Sequence, residues 1–450
     1  MREGNPGRGG GAGLAGLTAA LRCADAGARV VLFEARPRLG GATWSTRHRG
    51  LEVDNGQHVF LRCCEAYLAF LARLGVRDRI ALQDRLAVPV ASPGRPLAWI
   101  RRSALPAPAH LARSLLAFHH LPFAARVRAA WSARQIQALD PEDPALDAAS
   151  LGDWLAARGE SDLAIDGLWD LLVRATLNLS AREASLALAV KVLRTGFLDR
   201  ADAADLGWAT VPLAQLHAEP AAAALRAAGA EVHLRAPVEA IESTPGRAPA
   251  LRVRGARIEA DAVILATEHD TAARLSPPAA GLDAKALAAL GRSPIVNLHV
   301  VLDRPVLALP FLAGFGTPLQ WIFERTRAAG VDAGQVLAVS LSGADAWLQR
   351  SNAELRAVFV PALEALLPAA RAARIVDFFT TCEPAATFRQ APGTRALRPS
   401  ARTGARGIYL AGAYTATGWP ATMEGAVRSG LAAAAAAQAD LRLARPREAA

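Results

Sequence analysis

The run Gly11-Ala-Gly-Leu-Ala-Gly16, together with the residues up to Glu34, limits the possible folds more than any other stretch. The glycines stand at G-x-G-x-x-G spacing. Leu14, Leu17, Ala20 and Leu21 recur at helical intervals, and a turn comes next at Asp25-Ala-Gly27. The apolar run Val30-Val-Leu-Phe33 then ends on Glu34, eighteen positions past Gly16. Loop, helix, strand and acid in this order make a dinucleotide-binding βαβ unit. Gly11 permits the tight turn and Gly13 lets backbone N–H groups approach a pyrophosphate. Gly16 brings the helix close to the sheet, and Glu34 accepts hydrogen bonds from a ribose. An acid here favours a free ribose hydroxyl, so NAD or FAD over NADP.

The glycines should follow a buried strand, yet residues 1–10 hold a proline, several glycines and no β-branched residue. They are expected to be irregular. Either the reading frame starts upstream or the domain lacks a strand that normally lies mid-sheet.

With 450 residues, 52% of them hydrophobic, the chain can bury a large core and form two domains. The net charge of +10 would suit an anionic partner, but Lys191 and Lys285 are the only lysines and the arginines are scattered. That pattern fits the codon usage of a GC-rich genome better than a nucleic-acid footprint. Cys23, Cys63, Cys64 and Cys382 show no metal-ligand spacing. They are expected to be small buried hydrophobes in a reducing cytoplasm. The uncharged stretch from Pro305 is broken by Pro310, Gly314, Gly316 and Pro318, which argues against a membrane span.

Beyond Glu34, Arg36-Pro-Arg38-Leu-Gly-Gly41 suits a second phosphate-cradling turn, and a solvated loop would read the same. In Asp54-Asn-Gly-Gln-His58-Val-Phe60, a polar turn packs against something. His58 is either a ring-contacting or proton-donating group or a hydrogen-bonded core histidine. No acid occurs between Arg85 and Leu139. Within that stretch, 111–139 mixes apolar patches with Arg113, Arg126, Arg128 and Arg134 and with Phe118, Phe123 and Trp131. Such a segment docks on an anionic membrane or forms a helical unit with a solvated basic face. Residues 150–200 and 213–228 read as helical. Strands are expected at 229–234, 237–241 and 262–267, and β-type runs at 295–302, 319–323, 336–341 and 375–379. The last sheet is apolar and aromatic and suits a hydrophobic ligand.

Near the C-terminus a strand ends in Leu410-Ala-Gly412, and Trp419-Pro-Ala-Thr-Met423-Glu-Gly leads into a helix of small residues. Its N-terminal N–H groups and dipole suit a flavin that gains negative charge on reduction.

Together these motifs resemble the FAD-dependent amine oxidase and phytoene desaturase superfamily. The segments 54–60 and 419–430 look most like its squalene-associated branch, the hydroxysqualene dehydroxylases. The likeness runs from Gly11 to about Ala435. It implies an α/β protein in which a discontinuous Rossmann-like FAD-binding domain (11–84, 225–290 and 400–440) joins an α+β substrate domain (85–224 and 291–399), with a short tail at 441–450.

The resemblance also implies which residues hold FAD. Gly11, Gly13 and Gly16 would take the pyrophosphate, Glu34 the ribose, Arg38 and Gly41 the phosphates, and Val238 the adenine side. Gly412 and Met423 would lie by the ribityl chain and flavin ring. The implied reaction is loss of the hydroxyl of hydroxysqualene, a long-chain isoprenoid, with hydride from reduced FAD, and His58 is the candidate proton donor. A carotenoid-type desaturase running hydride transfer the other way is the alternative. Two departures stand out: the absent opening strand, and Ala413 where the family has an acid. Losing that acid removes a charge-assisted hydrogen bond of about 1.5–3 kcal/mol. The departures motivate a reading of another class, a cofactor-poor binding partner of prenyl-synthase enzymes.

Overall fold

A computed structural model describes residues 11–444, with only the backbone for 442–444. The expectation for residues 1–10 lies outside the described residues. The opening helix, Leu14–Asp25, starts directly at Gly13 and buries Leu14, Leu17 and Leu21. After the turn at Gly27 the chain forms the strand Val31–Phe33, which pairs in parallel with Glu231–His233. A second parallel pair joins Val263–Leu265 to Ile408–Leu410, and the closing helix Met423–Ala444 packs along the opening helix. Segments far apart in sequence thus build one Rossmann-type unit.

Much of the remaining chain forms an α+β unit around a seven-stranded sheet. Its order is Ile375–Thr387, Ser293–Leu302, Gln335–Ser342, Trp321–Glu324, Phe311–Gly314, Ala87–Ala91, Ala98–Arg101. Val296, Leu298 and Val300 alternate into a core closed by Leu355, Phe359 and Leu363 of the helix Asn352–Leu366. Ser351 and Glu354 start that helix with reciprocal side-chain-to-backbone hydrogen bonds. A second core, holding Trp169, Leu188 and Phe315, lies among the helices of 151–198.

The hairpin of Ala87–Ala91 and Ala98–Arg101 has no counterpart in the sequence reading. Pro89 hides it, because proline discourages a strand assignment. The structure tolerates it because the pairing with Phe311–Gly314 starts only at Val90. Strand 375–379 also runs on to Thr387, since it pairs along the whole of Ser293–Leu302 through two bulges.

Two expectations need correction. Phe118 is 1% exposed and belongs to the core, between the helices Ala112–Ala117 and Phe123–Ala138, so it is no surface anchor. Only Cys63 among the cysteines is buried. Cys23 and Cys64 are half-buried, and Cys382 is exposed because it sits on an edge strand of the large sheet. Among the described residues no helix is long and apolar enough to cross a membrane.

Candidate cofactor and substrate site

Two glycine turns meet at the start of the opening helix. Gly13 and Gly40 form a parallel bridge, and Gly40 N–H donates to the Ala12 carbonyl at 2.8 Å. Gly41 has φ +57°, and a β-carbon there would stand 2.6 Å from the Gly13 Cα. Only glycine allows this approach without strain. Among the described residues no side chain caps the opening helix, which leaves its first N–H groups open to an anion.

Glu34 lies beneath this junction at 2% exposure. One carboxylate oxygen accepts from Ala12 N–H at 2.9 Å and the other from Arg36 N–H at 2.8 Å. Each oxygen keeps a lone pair for a ribose hydroxyl. Arg38 lies over the Trp44 ring at 4.1 Å and donates to the Gly41 carbonyl at 3.3 Å. Ala236 N–H donates to the Glu34 carbonyl at 2.8 Å, which puts Val238 two residues beyond the same acid's partner.

The other end of the site hangs on two neighbours in the closing helix. Ser429 Oγ accepts from Gly412 N–H at 2.8 Å, and Gly430 abuts Ala15 of the opening helix. Met423 begins that helix seven residues before Gly430, roughly 10 Å along its axis. The glycine turns, Glu34, Arg38 and Val238 therefore gather at one end, with Gly412 and Met423 tied to them through paired helices. The cradle that a β-carbon would fill, the uncapped helix and the acid below it fit a dinucleotide.

Ala413 leaves no acid after Gly412. Instead its carbonyl accepts from Arg398 at 3.1 Å, and the same guanidinium donates to the carbonyls of Tyr414 (3.2 Å) and Thr415 (2.5 Å). Burial among these neutral acceptors pulls the Arg398 pKa down to about 10.

A cavity of about 1080 Å³, counting its open mouth, lies against the start of the closing helix. Its walls are mostly apolar, with Leu171, Val192, Phe197, Trp321, Trp419 and Met423 among them. Among the described residues Lys191 is the one basic residue in the lining and Glu424 the one acid. Glu424 is buried and fully engaged. It accepts from Ala66 N–H (3.1 Å), Tyr67 N–H (2.7 Å) and Arg428 (2.7 Å), so it ties helix Glu65–Arg73 to the closing helix. The sequence reading gave Glu424 and Arg398 no role. Lys191 carried a signal in being one of only two lysines.

His58 is not in this cavity, although Val59 is. It lines a separate small crevice with Asp54, Trp208 and Arg325. Its Nδ1 is 3.0 Å from the Gly56 carbonyl, which can only accept, so Nδ1 carries the proton and a neutral ring has none on Nε2. Burial lowers its pKa, which favours that neutral form. Asp54 is the centre of that crevice, accepting from Ser45 Oγ (2.7 Å), Leu213 N–H (2.9 Å) and Arg325 (2.9 Å). The polar turn at 54–58 is thus a structural junction between the two units.

A family model described as flavin containing amine oxidoreductase matches residues 14–438. The hydroxysqualene dehydroxylase of Rhodopseudomonas palustris is 31% identical, over 94% of this chain and 96% of that protein. The one from Sinorhizobium fredii is 28% identical over 94% and 96%. The 15-cis-phytoene desaturase of Solanum lycopersicum is 26% identical over 96% of this chain and 77% of its own length. Among solved structures, an oxidoreductase from Methanosarcina mazei superposes with a TM-score of 0.73 at 18% identity, covering 94% of this chain and 97% of that one.

Proposed function

The chain belongs to the flavin-containing amine oxidoreductase family and is an FAD-dependent oxidoreductase, and from that premise we propose that it reduces hydroxysqualene to squalene. The observation that carries this reading is the apolar cavity ending at Met423, where the closing helix begins. Gly11, Gly13, Gly16, Glu34, Arg38, Gly41, Val238, Gly412 and Met423 would hold FAD. When bound in its reduced form, FAD supplies the hydride. The protein's own residues bind the long hydrocarbon, orient its carbinol carbon toward Met423 and keep water from the allylic centre.

The second reading is a carotenoid-type desaturase, favoured by the same cavity and by the likeness to the tomato enzyme. Anaerobic incubation with hydroxysqualene and reductant, and separately with phytoene and an oxidant, distinguishes the two. Squalene from the first and nothing from the second is the expected result. Desaturated product from phytoene alone would reverse the assignment.

The substrate reaches the cavity from a membrane in this reading. Phe123, Val127 and Trp131 are 65%, 48% and 63% exposed and follow one another at i, i+4 and i+8 on one helix face. Leu105 and Leu116 are exposed nearby in sequence, and the acid-free run to Leu139 supplies Arg113, Arg126, Arg128 and Arg134. Apolar side chains amid positive charge match an anionic lipid surface.

A further inference from the structure

Among the described residues Lys191 has no counter-ion in the cavity. It is half-buried on helix Leu186–Leu193, and its ammonium has the Trp419 ring at 5.6 Å. Among the described residues no carboxylate lies within ion-pair reach of it, since Glu424 is committed to Arg428 and two backbone N–H groups. The Thr176 hydroxyl on the facing helix donates back to the Val173 carbonyl at 2.9 Å. Thr195, one turn after Lys191, shares its face. A charge facing apolar walls is costly unless something polar meets it. Here the protein meets it with an aromatic face, and threonine hydroxyls such as Thr195 are the uncharged polar groups in the wall, so a polar group of the ligand completes its surroundings.

We propose that Lys191 binds the hydroxyl of an allylic alcohol in this cavity and protonates it as it leaves, a role that rests on the dehydroxylase reading. The C–O bond breaks with its electron pair going to oxygen. That oxygen takes a proton from Lys191 Nζ and departs as water, leaving a neutral amine. The carbon accepts the hydride that reduced flavin supplies, and the amine regains its proton from solvent. In sum, alcohol, hydride and proton give hydrocarbon and water. The proton transfer neutralises the ammonium as positive charge develops on carbon, and the Trp321 and Trp419 rings in the wall favour that charge. A hydrocarbon substrate offers Lys191 nothing to bind, so this residue also separates the dehydroxylase from a desaturase.

The test compares wild type, Lys191→Met and Lys191→Arg, each loaded with FAD. Without reductant, tryptophan quenching gives the affinities for hydroxysqualene and squalene. With reductant, turnover is followed against pH. Wild type should hold the alcohol about ten- to a hundredfold tighter than the hydrocarbon. The Met variant should bind both alike and lose about a hundredfold or more in turnover, with FAD content unchanged. The Arg variant should keep the alcohol preference yet turn over slowly, because it holds its proton too tightly to give it. If wild type converts hydroxysqualene and the Met variant matches it, the Lys191 role is overturned while the dehydroxylase reading stands. If wild type neither binds nor converts the alcohol, both fall. Loss of FAD in both variants makes the lysine structural and overturns the role as well.

Discussion

Gly430 of the closing helix lies against the carbonyl oxygen of Ala15 in the opening helix, so close that a β-carbon would overlap that oxygen and stand 3.0 Å from Thr18 Cβ. Backbone cannot yield as a flexible side-chain tip can, so Gly430→Val must push the helices apart. The expected result is destabilisation by about 1–3 kcal/mol and purified protein with less FAD. Flavin absorbance per chain and thermal unfolding measure both. Wild-type values for each would mean the contact does not hold the crevice.

Glu34→Ala strips the buried Ala12 N–H and the half-buried Arg36 N–H of their acceptor. An unmet buried N–H costs about 1–3 kcal/mol, so the apoprotein itself should melt earlier. Glu34→Gln keeps one acceptor oxygen and should fall between. Apoprotein melting curves test this apart from cofactor loss; equal curves for all three proteins would refute it.

Replacing Phe123, Val127 and Trp131 with serine should abolish sedimentation with vesicles rich in anionic lipid and leave the fold intact, since all three side chains are exposed. Wild-type binding should weaken as salt rises. A triple variant that still pellets with the vesicles would remove the membrane role.

Acid should unfold the protein early. Burial pushes the His217 pKa down to about 3, and His299 likewise. The unfolded chain takes up each proton near the ordinary histidine value, whereas the folded chain refuses it until about 3. Stability is therefore full above roughly pH 6.5 and is lost as pH falls toward 3, by about 1.4 kcal/mol per unit for each ring. Denaturant titrations at neutral and mildly acidic pH should show that slope, and His217→Gln should flatten it. An unchanged slope in the variant would exclude His217 as a source.

The Rossmann elements were legible because periodicity and glycine spacing are local. Leu14, Leu17 and Leu21 mark the opening helix by themselves, and Val263–Leu265 stands out as an apolar run. Other features depend on distant partners. Pro89 conceals a strand that only the fold reveals, and nothing near Glu424 announces that it caps a helix beginning at Glu65. His58 could be read from sequence either as a chemical group or as a core histidine. Its carbonyl partner two residues back, and a crevice apart from the cavity, could be seen only in three dimensions. Lys191 is conspicuous in composition, but its isolation from carboxylates is a fact of packing.

The pairing of the opening and closing helices also dictates a schedule. The ribosome releases the first of them roughly 400 residues, or about 20 to 80 s, before the second. Throughout that interval the nascent Leu14 and Leu17 face has no Val427 or Gly430 to rest on, and Gly412 has no Ser429. If the closing helix holds the flavin as proposed, loading is a late event in the life of each polypeptide. A cell short of riboflavin would accumulate finished but colourless chains, not stalled fragments.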